Sequence, residues 1–185
     1  MTDALYPDTA TLAGVTDEER ARIFTAWLSD HGGSIRRAAA SYAYTADEQD
    51  DLVQQITLAL WRSMPSFRGE CSARTFVFRV AHNQGLHFAT RERLRRPHPD
   101  GDEGGAAIVD DAPDPEAVLD ARRRRERMFA ALRTLSLPHR QVLTLALEDV
   151  GHDEIAAVLG VTVNNVNVRL SRARDALRAA LGGDR

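Results

Sequence analysis

Hydrophobic residues recur three or four positions apart in every segment that is rich in them, which is the spacing of one face of an α-helix. In the first half of the chain these faces are Ile23, Phe24, Trp27 and Leu28; Ile35, Ala38 and Ala39; Leu52, Val53, Ile56, Leu60 and Trp61; and Phe76, Val77, Val80 and Leu86. No segment convincingly shows the alternation of apolar and polar residues that a half-buried strand requires. The pattern predicts an all-α fold.

Residues that start and stop helices divide the first half of the chain into four predicted helices. Thr16 and Thr45 are each followed three residues later by a glutamate, the spacing of a capping box, and Ser72 precedes another apolar face. Gly32-Gly33 predicts a break between two shorter helices, because glycine is a poor helix former. Met64-Pro65 predicts the end of the helix that begins after Thr45.

The end of the chain has the spacing of a helix-turn-helix. A short helix through Ile155 and Leu159 meets Gly160, which can supply the positive φ of a tight turn, and Thr162 can cap a second helix. The inward face of this second helix is Val163, Val166, Leu170, Ala173 and Leu177. Two more helices are predicted upstream, one in the arginine-rich segment after residue 121 and one that begins near Pro138.

An acidic segment separates the two groups of predicted helices. Residues 97–120 contain eight acidic residues, no basic residue and four of the seven prolines, so they cannot bury much apolar surface. We therefore predict two small helical domains, over residues 16–96 and 122–185. A flexible leader over residues 1–15 precedes the first domain, and a flexible acidic linker over residues 97–121 joins the two.

The net charge of −3 conceals two basic blocks. Residues 62–96 carry a net charge of +6 and residues 121–185 carry +5, whereas residues 1–61 carry −6 and residues 97–120 carry −8. All 24 basic residues are arginine, whose planar fork matches phosphate geometry. Basic blocks attract the nucleic-acid backbone, although a single charged run is often only a solvated face.

Composition excludes several other classes of protein. The chain lacks the roughly 18 consecutive apolar residues of a membrane span and the basic start of a signal peptide, so we expect a cytoplasmic protein with no membrane contact. The single cysteine, Cys71, excludes an internal disulfide. The six histidines lack zinc-ligand spacing, and no phosphate-binding glycine loop or nucleophile–base pair is evident. We predict no metal site, no cofactor and no catalytic residue.

The polar face of the last predicted helix is the strongest candidate for DNA binding. Its residues are Asn164, Asn165, Asn167, Arg169, Ser171 and Arg172. Asparagine and arginine make bidentate hydrogen bonds with adenine and guanine edges in the major groove. The alternative to DNA binding is an ordinary two-helix corner with a solvated polar face. The combination of the glycine turn, the cap and the polar face favours DNA binding over this alternative.

Two other helices carry candidate surfaces. The helix DDLVQQITLALW has an acidic and amide face, which is either solvated surface or a docking face for another protein. The helix that contains Arg74, Phe76, Arg79, His82, Asn83 and Arg91 combines arginines with aromatic rings. That combination suits single-stranded nucleic acid, whose bases stack on rings or enter pockets, although most of the rings are expected in the core.

With these motifs in view, the chain resembles the extracytoplasmic-function sigma factors of bacterial RNA polymerase. DDLVQQITLALWRSMPSFRGECSARTFVFRVAHN is similar to the second conserved region of that family. LRTLSLPHRQVLTLALEDVGHDEIAAVLGVTVNNVNVRLSRARDAL is similar to the fourth. The larger sigma classes have a further helical domain between these regions, where this chain has only its acidic linker.

The resemblance implies a role for each matching position. The implied contacts with the clamp helices of core RNA polymerase are Asp50, Asp51, Leu52, Val53 and Gln54. Those that recognise and melt the minus-ten element are Phe67, Arg68, Arg74, Phe76, Arg79, His82, Asn83, Arg91 and Arg95. Those that recognise the minus-thirty-five element are Asn164, Asn165, Asn167, Arg169, Ser171, Arg172 and Arg174. The implied partners are core RNA polymerase, through its clamp helices and flap region, promoter DNA and an anti-sigma protein.

Four positions depart from the sequences common in the family. In the last helix, Asn167 stands where relatives commonly have a cation and Val168 where they have serine. Phe76 stands where many relatives have tryptophan and His82 where they have arginine, which keeps an aromatic ring but weakens one phosphate contact. Two alternatives remain open at this point. A stand-alone helix-turn-helix regulator would explain residues 122–181 but gives no role to the acidic helix, and an enzyme would need a site that the spacing of the histidines does not supply.

Overall fold

The computed structural model describes residues 11–12, 14–95 and 115–182. Within these residues the chain forms helices and no strand, so the predicted all-α fold is confirmed. The helices are α1 (Asp17–Tyr42), α2 (Ala46–Ser63), α3 (Ala73–Arg95), α4 (Pro115–Thr134), α5 (Leu137–Leu147), α6 (His152–Leu159) and α7 (Val163–Gly182). A short 3-10 turn, Met64–Ser66, follows α2.

Helices α1, α2 and α3 pack against one another as the N-terminal helical unit. Their shared core includes Ile23, Leu52, Ile56, Leu60 and Val77, each no more than 2% exposed. These residues belong to the apolar faces that the sequence pattern predicted. Burying large aliphatic side chains contributes about 1.5–3 kcal/mol each, which accounts for the docking of three amphipathic helices into one unit.

Helices α4 to α7 form the C-terminal helical unit around a second core. Leu132, Val142, Leu145, Ile155 and Leu170 are each no more than 1% exposed in it. The α6–turn–α7 segment is the predicted helix-turn-helix, and Gly160 has the left-handed conformation expected of it, with φ 65°.

The predicted helix caps are confirmed by hydrogen bonds. The Thr45 hydroxyl accepts from the Glu48 amide at 3.2 Å, and the Glu48 carboxylate in turn accepts from the Thr45 amide, which completes a capping box. The side chains of Thr16, Ser72 and Thr162 each accept from the backbone amide three residues later. Pro138 lies in the first turn of α5, as predicted.

Helix α1 continues through Gly32-Gly33, so the predicted break is wrong. Trp27 before the glycines and Ile35 and Ala38 after them are buried in the structure. Each glycine costs about 1 kcal/mol in a helix interior. Burial of the apolar residues on both sides outweighs that cost, so tertiary packing overrides the local propensity.

Both predicted flexible segments are shorter than expected where the structure describes them. Leu12 is 6% exposed and its amide donates to the Phe67 carbonyl at 2.9 Å, so the end of the predicted leader is packed on the core. Helix α4 begins at Pro115, inside the segment predicted as linker, because proline is well suited to a first helical turn. Residues 96–114, which include most of the predicted linker, lie outside the described residues.

The two helical units pack directly against each other. Helices α4 and α5 contact α1, and α5 and α6 contact α3. Ala40 and Phe78 of the N-terminal unit, each 2% exposed, belong to the apolar cluster of the C-terminal unit. The Arg133 guanidinium donates to the carbonyls of Ala40 and Ala43, both at 3.2 Å. The sequence predicted two domains joined by a flexible linker. In the structure they also share an interface with apolar and polar contacts.

Candidate nucleic-acid interface

Helix α7 separates a buried apolar face from an exposed polar face. Val166, Leu170 and Ala173 are no more than 1% exposed and anchor the helix to α5 and α6. The exposed polar residues predicted to contact DNA are Asn164, Asn165, Asn167, Ser171, Arg172 and Arg174, and Arg169 is partly exposed. All the residues predicted to recognise the minus-thirty-five promoter element therefore lie on one helix, with side chains accessible to a ligand.

The turn before α7 leaves the first residues of that helix accessible. Thr162 accepts from the Asn165 amide at 3.3 Å, which begins the helix where the polar face begins. A helix presented in this way can enter the major groove of DNA with its N-terminal residues against base edges. The amide and guanidinium groups supply the hydrogen-bond donors and acceptors that such contacts require.

Two arginines of α3 that were predicted to contact the melted strand are held by the C-terminal unit. Arg74 donates to the backbone carbonyl of Glu148, and Arg79 donates to the carbonyl of Ala157 at 3.2 Å. Both side chains are partly buried. In this arrangement each guanidinium has a donor engaged by the C-terminal unit.

The aromatic residues predicted for strand melting belong to the core of the N-terminal unit. The Phe67 ring is 5.4 Å from the Trp27 ring and 5.0 Å from the Phe76 ring, centroid to centroid, in edge-to-face contacts. Phe67 is 4% exposed, so its ring is not accessible to DNA in this structure, and its contact with DNA stays a prediction. Phe76 is only partly buried, and it packs against the same core.

His82 is buried and not accessible to DNA in this structure, so its contact with the downstream promoter element also stays a prediction. It is 1% exposed, and its Nδ1 lies 2.9 Å from the Tyr42 hydroxyl. Its Nε2 has no hydrogen-bond partner within the described part of the chain. Burial lowers the pKa of His82 to about 4, against a smaller raising effect from the charge of Glu148. His82 is therefore a neutral core residue at physiological pH.

Acidification is expected to destabilise the fold through His82. The unfolded chain binds a proton at the ordinary histidine pKa, whereas folded His82 resists protonation until about pH 4. The stability contribution is complete above about pH 6.5 and falls as the pH drops, by about 2 kcal/mol between pH 7 and pH 5. Urea unfolding at the two pH values should show this loss in the wild type and a smaller loss in His82→Asn.

Asparagine keeps an acceptor close to the position of Nδ1 but does not titrate. His87→Asn is the matched control, because His87 lies on the same helix and is exposed. It should keep the wild-type dependence on pH. An equal loss in wild type and His82→Asn would contradict the assignment of this pH dependence to His82.

Four residues predicted to contact downstream DNA are accessible. Arg68, Asn83, Arg91 and Arg95 are exposed. Arg91 lies 5.5 Å from the centre of the Phe88 ring, and Arg95 lies 3.5 Å from the carboxylate of the buried Glu92. These contacts are at the surface, so the guanidiniums can still bind a phosphate.

Helix α2 presents most of the predicted docking residues. Asp50, Asp51 and Gln54 are exposed and Val53 is partly exposed. Leu52 is 0% exposed in the core, so its side chain is not accessible to polymerase in this structure, and its predicted contact stays untested. Leu52 is buried because it lies on the apolar face of α2, which packs onto α1 and α3.

Three polar residues that sequence reasoning did not single out meet between the two units. The Glu148 carboxylate accepts from Arg37 Nη2 and from the Ser34 hydroxyl, both at 2.6 Å. Arg37 and Glu148 are 111 positions apart in the chain. No local pattern marks such a pair, and only the packing of α1 against α5 brings it together.

The described residues offer neither a metal site nor a membrane-spanning helix. No group of three or more histidine, cysteine, aspartate or glutamate side chains there could hold a metal ion. None of the helices described has the length and apolar character needed to cross a membrane.

Comparison with known proteins assigns both helical units. The family model for Sigma-70 region 2 matches residues 27–95, and the model for Sigma-70, region 4 matches residues 125–177. The RNA polymerase sigma factor CnrH of Cupriavidus metallidurans is 31% identical over 169 residues, 88% of each chain. The ECF RNA polymerase sigma-E factor of Escherichia coli K12 is 29% identical over 135 residues, covering 69% of this chain and 70% of that one.

Two solved structures have the same fold. CnrH in complex with the cytosolic domain of CnrY matches with a TM-score of 0.66 at 27% identity, over 89% of this chain and 91% of that one. The sigma factor RpoE in complex with the anti-sigma factor NepR from Bartonella quintana also matches with a TM-score of 0.66, at 22% identity, over 89% and 99% of the two chains. The chain therefore belongs to the extracytoplasmic-function sigma factors of bacterial RNA polymerase, which bind the core enzyme and direct promoter-specific initiation of transcription.

Proposed function

We propose that the exposed polar face of α7 recognises the upstream promoter element of this sigma factor. The observation that carries the assignment is the division of α7 into a buried apolar face and an exposed face of asparagine, serine and arginine. Asn164, Asn165 and Asn167 lie at the N-terminal end of the helix, where a recognition helix meets base edges. Arg169, Arg172 and Arg174 supply base or phosphate contacts along the remainder.

The exposed residues of the N-terminal unit divide into two proposed surfaces. Asp50, Asp51, Val53 and Gln54 of α2 dock on the clamp helices of core RNA polymerase, and the C-terminal unit contacts the flap region. Arg68, Asn83, Arg91 and Arg95 follow the downstream promoter DNA as it opens. The support for this division is accessibility together with the separate positions of acidic and basic side chains on α2 and α3.

Melting costs a few kcal/mol for each unstacked base, which protein contacts must offset. The exposed arginines contribute through phosphate neutralisation and the release of counterions. The chain itself supplies no catalytic step in this proposal, because phosphodiester synthesis belongs to the polymerase. A stand-alone regulator is not favoured, since the match to Sigma-70 region 2 gives the N-terminal unit a role that such a regulator lacks.

An anti-sigma protein is proposed as a further partner. The two solved structures compared above each hold a sigma factor together with another protein, the cytosolic domain of CnrY or the anti-sigma factor NepR. The direct packing of the two units of this chain gives such a protein one continuous surface that both units form.

Arg172→Ala tests the assignment of α7. Loss of one bidentate base contact is expected to cost about 1–3 kcal/mol of discrimination, or about 5- to 150-fold in relative promoter use. The measurement is transcription by reconstituted holoenzyme on templates that differ only at single positions of the upstream element. The variant should lose preference at one or two of these positions while it still co-elutes with core enzyme.

Arg178→Ala is the matched control, because Arg178 is exposed on the same helix and pairs with Asp175 at 2.6 Å. It should keep the wild-type preferences. The same preferences in Arg172→Ala as in the wild type at every upstream position would contradict the proposed role of Arg172.

A further inference from the structure

One group of polar contacts between the two helical units centres on Glu148, the residue that follows α5. Its carboxylate accepts from Nε and Nη2 of Arg37, so the guanidinium holds it with two donors, and it also accepts from the Ser34 hydroxyl. The side chain of Glu148 is only 8% exposed. Two parallel donors from one arginine are the geometry with which proteins hold carboxylates and phosphates.

Glu148 is charged in this position. Burial raises the pKa of its carboxyl group, but the hydrogen bonds from Arg37 and Ser34 and the charges of Arg37 and Arg74 outweigh that effect and lower the pKa. The residue that follows, Asp149, has φ 54°, a conformation that residues other than glycine rarely adopt. The turn after α5 thus presents an anion to the N-terminal unit.

In the described hydrogen bonds that Glu148, Glu154 and Ala157 make with the N-terminal unit, every donor lies on that unit. Elsewhere in the interface Arg133 donates in the opposite direction, to Ala40 and Ala43. Ser34 and Arg37 on α1, and Arg74, Thr75 and Arg79 on α3, donate to oxygen atoms of the C-terminal unit. The acceptors are the carboxylates of Glu148 and Glu154 and the backbone carbonyls of Glu148 and Ala157. The phosphodiester backbone of DNA likewise offers acceptors and negative charge, without donors of its own.

We infer that Ser34, Arg37, Arg74 and Arg79 form a binding surface for the phosphate backbone of promoter DNA, which the Glu148 turn occupies as an internal competitor when the two units are packed together. The inference rests on the proposed function, because it extends the downstream DNA contact from α3 to α1. Ser34 and Arg37 are new members of that contact.

The competition has a direct consequence for the isolated chain. Glu148 and a phosphate cannot both occupy the Arg37 guanidinium, so DNA binding requires separation of the two units at this contact. The apparent affinity for DNA then falls in proportion to the fraction of chains that are open. Docking on core polymerase exposes the surface when it holds the units apart.

The first test compares Glu148→Ala with Asp153→Ala in the full-length chain without polymerase. Asp153 is exposed in the first turn of α6, so its removal changes the net charge equally without touching the contacts of Glu148. The probe is a fluorescein-labelled, mixed-sequence, single-stranded 20-nucleotide DNA, followed by fluorescence anisotropy at low salt. Glu148→Ala should raise the affinity about tenfold, and Asp153→Ala should stay within about twofold of wild type.

Glu148→Gln provides a second variant, because it keeps the shape and one acceptor but removes the charge, and it should give an intermediate rise. Small-angle X-ray scattering should show a larger radius of gyration for Glu148→Ala than for Asp153→Ala. Circular dichroism should show wild-type helicity for all three variants. Equal affinities of wild type, Glu148→Ala and Glu148→Gln would overturn the competitor role.

The second test asks whether Arg37 binds phosphate. In the Glu148→Ala background, Arg37→Ala should reduce the affinity about tenfold and lower the slope of log affinity against log salt by about one. Arg36→Ala is the matched control, because Arg36 is the exposed neighbour on the same helix. Equal effects of the two arginine substitutions would overturn the phosphate site and leave only a contact between units.

Transcription in vitro with holoenzyme distinguishes failure of this inference from failure of the proposed function. Holoenzyme that contains Glu148→Ala should use the same start sites as wild type, because polymerase already holds the units apart. Loss of initiation in Glu148→Ala alone would overturn the inference. If wild-type holoenzyme instead showed no preference at any position of the upstream element, the proposed role of α7 would be contradicted. The oligonucleotide measurements would not be affected by that result.

Discussion

Asp51→Arg is expected to abolish assembly of this sigma factor with core RNA polymerase. Asp51 is exposed on α2, beside Asp50 and Gln54, on the face proposed to dock on the clamp helices. A surface that binds an acidic face carries complementary positive charge, so an arginine at its centre replaces attraction by repulsion worth several kcal/mol. The affinity should therefore fall by more than about 100-fold, measured as co-elution with core enzyme and by competition binding.

Asp30→Arg is the matched control for this substitution. Asp30 is exposed on α1 in the same helical unit, so the net charge of the unit changes equally while α2 is untouched. It should assemble as the wild type does. Normal co-elution of Asp51→Arg would show that the acidic face of α2 is solvated surface, which the sequence left open.

Trp27→Ala is expected to cost about 4 kcal/mol of the free energy of unfolding. Trp27 is 8% exposed, and its ring lies 5.4 Å from that of Phe67 and 5.9 Å from that of Phe76. Removal of a buried tryptophan costs about 3–5 kcal/mol, which approaches the whole stability of a small domain. Because Phe67 anchors the segment that carries Arg68, the variant should also lose promoter opening.

Urea unfolding followed by circular dichroism measures the change in stability. Trp27→Phe is the control, because it keeps an aromatic ring in the cluster and should lose less than half as much. Equal losses in the two variants would contradict this account, because Trp27→Phe keeps most of the buried volume and Trp27→Ala does not.

The local structure of the helices was predictable from the sequence because its signals are local. The caps at Thr45 and Thr162 and the left-handed turn at Gly160 depend on residues within four positions of one another, and each is confirmed. The exposed face of α7 was predictable for the same reason. The buried apolar residues of α7 recur at helical spacing and pack against α5 and α6, so the polar residues between them must face outward.

Helix α3 was harder to interpret because it is packed on several sides. It contacts α1 and α2 within its own unit and α5 and α6 of the other, so its apolar residues do not define a single face. His82 is buried by this packing although it occurs in an arginine-rich helix. Gly85 lets α3 pack closely against α1, since a Cβ there would lie 2.3 Å from the Tyr42 ring.

The packing between the units left no signal that could be found in the sequence alone. Arg37 and Glu148 are polar residues on different helices, and nothing in their neighbours' spacing distinguishes them from solvated residues. The charge pattern instead suggested two modules that act apart on DNA. Long-range pairing of this kind depends on how whole helices dock, which hydrophobic periodicity does not specify.

Transcription in vitro with core RNA polymerase on a library of genomic fragments tests the central claim most directly. The full-length chain and core enzyme together should initiate at a defined set of start sites that share one upstream and one downstream element, and core enzyme alone should not. Start sites that are the same with and without the chain, or scattered without any shared element, would contradict the claim that these two helical units select promoters.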